Sequence, residues 1–76
     1  MKKVKDSDKV LIEELGKRIS FYRKEKGLTQ SHLSDLAVME KSDVSRIELG
    51  KTNPTFKTLM CILKDLEIPL KELVDT

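Results

Sequence analysis

One cysteine and one histidine occur among the 76 residues, and each scarcity removes a class of function. Cys61 has no second cysteine with which to close an internal disulfide, which fits a reducing compartment. His32 has neither Cys nor another His at ligand spacing, so no metal site is expected. No nucleophile–base pair and no Gly-rich phosphate loop is present. The chain is therefore not expected to be an enzyme, and no cofactor is expected. No apolar run approaches the ~20 residues of a membrane span, and the opening MKKVKDSDK lacks the apolar stretch of a signal peptide. These absences predict a cytoplasmic protein with no membrane partner. There is no Gly/Ser/Pro linker, no low-complexity run and no internal repeat. A chain of this length is expected to form one small domain, burying about 60% of its unfolded surface. It leaves no room for a deep catalytic pocket, nor for a separate sensor or dimerisation domain.

Strong charge of one sign is also missing. The formal net charge is +2. Residues 1–9 supply all of it, with four lysines against Asp6 and Asp8, while residues 10–76 hold 11 basic and 11 acidic groups. No broad basic stripe argues for nucleic acid by itself. Composition leaves a DNA-binding role and a protein-interaction role both open.

What is present is a patterned stretch from Gln30 to Leu49, QSHLSDLAVMEKSDVSRIEL. Apolar residues fall at Leu33, Leu36 and Ala37, then Met39, then Val44 and Ile47, mostly at the three- and four-residue spacings of a helix. Met39 breaks the phase, which predicts two short helices joined by a tight turn. The second helix has a narrow apolar stripe, Val44 and Ile47, among Lys41, Ser42, Asp43, Ser45 and Arg46. Two anchors can dock such a helix while most of its circumference stays available to a polar surface. A DNA major groove is wide enough to take it.

The rest of the chain reads as packing around that unit. Residues 1–7 form a flexible basic arm, and residues 8–76 a single domain with its reading unit at 30–49. Helix one starts near Ser7 or Asp8, either of which can cap it, and runs to Lys26, with Gly27 past its end. Its inward stripe is Leu11, Leu15, Ile19 and Tyr22; Val10, Ile12 and Phe21 fall outside it. Gly16 lets another helix approach closely. Thr29 caps helix two. A capping box would want Glu or Gln three residues later, where His32 stands. His32 is read as a neutral surface residue rather than a pH switch. Gly50 closes helix three, and Pro54 keeps Asn53 out of a helix. Thr55 caps helix four, whose inner face is Phe56, Leu59, Ile62, Leu63 and Leu66. Pro69 fits the first turn of a short fifth helix holding Leu70, Leu73 and Val74. The class is all-α.

Leu15-Gly16, Ile19, Tyr22-Arg23, Gly27-Leu28-Thr29-Gln30, Leu33, Val44-Ser45-Arg46-Ile47-Glu48-Leu49-Gly50-Lys51, Asn53-Pro54-Thr55 and Leu59 follow one another in this order. In this the chain closely resembles the phage-repressor/Cro (Xre-type) helix-turn-helix family, over about residues 11–74. The resemblance implies a compact five-helix, repressor-like DNA-binding domain. It implies a sequence-specific transcriptional regulator that puts helix three in the major groove of double-stranded DNA, as a homodimer on a palindromic operator.

By position, the resemblance gives Thr29 and Gln30 the DNA backbone. Lys41, Ser42 and Arg46 would face base edges, and Leu49, Gly50, Lys51 and Thr52 would meet the next phosphates. It also implies an inter-helix ion pair between Arg23 and Glu48. Side-chain chemistry agrees: Arg46 can fork onto guanine, Lys41 can reach guanine or a phosphate, and Ser42 and Ser45 are short and permissive. Asp43 either accepts from cytosine or merely favours the helix N-terminus. Four residues depart from the family pattern. Val38 stands at a turn position often held by Gly, Glu40 replaces a Ser cap, Ser34 stands where a small Ala usually packs helix two on helix three, and Glu67 replaces a helix-ending Gly. The dimer contact is expected on helix four's outer face and helix five, at Met60, Cys61, Leu70 and Val74. The alternative is a protein-interaction module, such as an antitoxin or regulatory subunit, on the same fold.

Overall fold

The computed structural model of the chain describes residues 6–73, with side chains from Lys9 onward. Four α-helices follow in order: α1 Asp6–Glu25, α2 Gln30–Leu36, α3 Lys41–Glu48 and α4 Phe56–Leu66. No strand occurs among the described residues. Helix α1 takes in Asp6 and Ser7, the last two residues of the expected arm. Residues 1–5 of that arm, and Val74 of the expected dimer contact, lie outside the described residues, as do the side chains of Ser7 and Asp8.

The expected fifth helix is instead a single 3₁₀ turn, Leu70–Glu72. Pro69 precedes it in extended conformation, and the N–H of Leu73 donates to the carbonyl of Leu70 at 2.9 Å. One tight turn is enough to bury Leu73 to 4% exposure, without the cost of nucleating an α-helix.

Every helix contributes to one core: Ile19 from α1, Leu33 from α2, Val44 and Ile47 from α3, Ile62, Leu63 and Leu66 from α4. Each such side chain is worth about 1.5–3 kcal/mol of burial, which holds short helices that would not persist alone. Two predicted core residues are not in it. Leu11 is 64% exposed and Phe56 69%. Both have the right helical phase, but Phe56 is the first residue of α4 and Leu11 lies in the second turn of α1. Helix α1 meets the end of α3 where Gly50 abuts Glu13, so the stripe runs past its partner before it reaches Leu11.

Gly16 marks the close crossing. A Cβ there would lie 2.7 Å from the carbonyl oxygen of Glu48 and overlap that of Ile47. Two further backbone positions carry positive φ without glycine: Val38 at 54° in the α2–α3 turn, and Glu67 at 57° past α4. At Glu67 the N–H of Ile68 reaches back to the Leu63 carbonyl at 3.1 Å, satisfying the helix end. The C-terminal half of α1 is tied to this part of the chain. Tyr22 donates to the Glu72 carboxylate at 3.1 Å, and Lys26 pairs with Glu67 at 3.2 Å.

Candidate nucleic-acid interface

Thr29 starts the unit. Its Oγ1 accepts from the N–H of His32 at 3.0 Å, and its own N–H donates to His32 Nδ1 at 3.3 Å. The capping box therefore closes with histidine in place of the expected Glu or Gln. The imidazole Nδ1 supplies the acceptor that a carboxylate would otherwise provide. Ser34 packs at 4% exposure, its hydroxyl satisfied by the Ser31 carbonyl at 2.8 Å.

After α2 the chain turns at Val38, whose side chain is 91% exposed. Glu40 precedes α3 without a side-chain capping bond. Helix α3, eight residues long, spans about 12 Å, comparable with the width of a major groove. Val44 and Ile47 hold one side of it in the core, at 1% and 3% exposure.

The tilt of α3 is set by a charged clamp at its far end. Arg23 of α1 forks onto Glu48 through Nε to Oε2 at 2.6 Å and Nη2 to Oε1 at 3.0 Å. Its remaining Nη1 donates to the Leu28 carbonyl at 2.7 Å. The two side chains are only 9% and 5% exposed. Gln30 joins them, its Nε2 donating to Glu48 Oε1 at 3.0 Å. One carboxylate thus ties together α1, the first turn of α2 and the last turn of α3. That commitment restricts the Gln30 amide; the expected backbone contact of this residue combined its main-chain N–H with that amide.

At 100° per residue, Ser42, Ser45 and Arg46 lie opposite the two apolar anchors. Ser42 and Arg46 are exposed and Ser45 is half-buried. Lys41 and Asp43 take the two flanks. Lys41 borders a cleft with Thr29, Gln30 and Ser31; Asp43 borders a concavity with Asp35 and Glu40. One flank of the helix is therefore basic and the other acidic. Arg46 donates through Nη2 to Asp43 Oδ1 in an i,i+3 ion pair, each side chain about half exposed. Past the helix, Gly50 turns the chain at φ 72°, Lys51 is exposed and Thr52 half-buried.

Ser31 is a cleft residue that sequence reasoning missed, although its place beside Gln30 in the first turn of α2 could have indicated it. The pairing of Asp43 with Arg46 was also missed; the i,i+3 spacing was a signal for it. The surface so built offers one guanidinium, two ammonium groups and several hydroxyls on α3 and the turn that follows it. It holds no group of metal-ligating side chains among the described residues. No described helix is long and apolar enough to cross a membrane.

Comparison with known proteins places this geometry among others. A family described as "Helix-turn-helix domain" matches residues 16–76. The HTH-type transcriptional regulator SinR of Bacillus subtilis is 39% identical over 62 residues, covering 80% of this chain and 56% of SinR. The chain spans between 31% and 56% of the length of the curated regulators it matches. Among solved structures, the restriction-modification controller protein C.AhdI of Aeromonas hydrophila is 30% identical with a TM-score of 0.78, covering 84% of this chain and 96% of that one. The controller protein C.Esp1396I, solved as a tetramer with its natural 35-base-pair operator, is also 30% identical. Its TM-score is 0.73, with 86% and 96% coverage.

Proposed function

Because the chain belongs to the helix-turn-helix domain family, of the phage-repressor/Cro (Xre) type, we propose that it is a sequence-specific DNA-binding transcriptional regulator. The observation that carries this reading is α3 itself: Val44 and Ile47 buried, with Ser42, Ser45 and Arg46 turned away from the core. In this reading α3 enters the major groove and Arg46 forks onto a guanine. Lys41, Thr29, Gln30, Lys51 and Thr52 hold the phosphates on either side.

One α3 reads only a few base pairs, so useful affinity calls for two copies about 34 Å apart on a two-fold operator. The likeness to C.Esp1396I, solved on its operator as a tetramer, supports an oligomer on DNA. Met60, 40% exposed on α4, with half-buried Cys61 and Leu70, is the proposed contact between copies.

The test is selection of bound sequences from random duplexes at moderate salt, followed by a salt titration on the winner. With Lys41 and Lys51 of each copy on phosphates, about four such contacts per dimer, log K falls against log salt with a slope near −4. Failure to enrich any sequence, with a slope near zero, overturns the reading. It would favour a protein-interaction module instead, which the acidic flank of Asp35, Glu40 and Asp43 would suit.

A further inference from the structure

The ion pair on the outward side of α3 assigns a task to its acidic member. We infer that Asp43 is a positioning residue for Arg46: it aims the guanidinium at one base pair and does not itself touch DNA. This rests on the DNA-binding reading above.

An isolated arginine on a helix surface samples many rotamers, and each bidentate contact must immobilise them. Here Asp43 Oδ1 takes one hydrogen of Arg46 Nη2. Both hydrogens of Nη1 and the second of Nη2 remain, more than the two donors that guanine O6 and N7 require. The planar fork is thus held at one nitrogen while donors enough for a base edge are left over. Asp43 cannot easily take the alternative role of accepting from cytosine. It lies on the flank of α3, bordering the concavity of Asp35 and Glu40, while Ser42 and Arg46 are the exposed outward side chains. A carboxylate near phosphates also repels them, so its presence is a cost to affinity that aim can offset.

The two effects separate in an experiment. Removing Asp43 raises affinity for any duplex, because a negative charge is gone. It also lowers preference at the single base pair that Arg46 reads. Duplexes selected by the wild-type protein are first mutated one base pair at a time. Binding is then measured for the wild type, Asp43→Ala, Asp43→Asn, Arg46→Ala and the double variant. The wild type is expected to prefer guanine at Arg46's position by about 5- to 150-fold. Arg46→Ala erases that preference. Asp43→Ala and Asp43→Asn shrink it by about two- to five-fold, the range of an exposed ion pair, and change no other position. In the Arg46→Ala background, Asp43→Ala has no further effect on preference.

If Asp43→Ala strengthens all duplexes by the same factor, Asp43 is only a surface charge and the inference is overturned. If it alters preference at a base pair other than Arg46's, Asp43 contacts DNA directly and the inference is again overturned. If the wild type selects no sequence, the DNA-binding reading fails, and this one with it. Thermal melting of each variant separates these results from loss of fold.

Discussion

Glu48→Ala is the most revealing single change. The carboxylate is 5% exposed and accepts three hydrogen bonds, two from Arg23 and one from Gln30. Removing it leaves the Arg23 guanidinium, itself 9% exposed, with only the Leu28 carbonyl as a partner. Breaking one side of a buried pair costs about 3–5 kcal/mol, because the surviving charge stays desolvated. A domain of this length is stable by only about 4–11 kcal/mol, so the loss is a large share of the total. At about 6 °C per kcal/mol, Tm should fall by about 20–30 °C.

Glu40→Ala is the control. Glu40 is also acidic and close to α3, but it is exposed and makes no capping bond, so its loss should change stability by about 0.5 kcal/mol or less. Replacing both clamp partners, as Arg23→Met with Glu48→Leu, should recover most of the stability, since no orphan charge remains. Circular dichroism melts of the four proteins decide the matter. Equal Tm values for Glu48→Ala and Glu40→Ala would refute the argument that burial makes this pair costly to break.

Gly16→Ala should destabilise by about 1–3 kcal/mol in urea, despite the better helix propensity of alanine, because its Cβ meets the carbonyls of Ile47 and Glu48; a gain in midpoint would contradict the close crossing. Val38→Gly should stabilise by roughly 1 kcal/mol, read as a higher urea midpoint, by relieving a β-branched residue at φ 54° whose side chain is almost fully exposed. Thr29→Ala should lower stability by about 1 kcal/mol through loss of the α2 cap, read from the same melts. Lys41→Ala should weaken binding to all duplexes alike and reduce the salt slope of a dimer by about two; a changed base preference would instead put Lys41 on a base edge.

Spacing alone was enough for the elements that punctuation marks locally. Thr29 and Thr55 cap where a short hydroxyl precedes a periodic run, and Gly27 and Gly50 turn the chain at positive φ. The stripe of Val44 and Ile47 identified the buried side of α3, because helical period is a one-dimensional property of the chain. Leu11 and Phe56 were misplaced for a three-dimensional reason: phase says which way a side chain faces, but not whether a partner helix extends far enough to cover it. The short 3₁₀ turn after Pro69 is similar, since how tightly the chain must wind to bury Leu73 depends on where the core already lies.

Short helices around an apolar nucleus, with one polar helix on display, are written in the order of the residues alone. Those outcomes follow from contacts among residues three or four apart. How that helix is held and aimed depends on contacts made across the folded chain. Arg23 and Glu48, 25 residues apart, meet because Gly16 lets α1 and α3 cross closely, and Gln30 is drawn into the same carboxylate. The aim of α3 is a matter of angle between helices. Angles arise from packing and desolvated charge, which depend on the folded whole and not on local spacing.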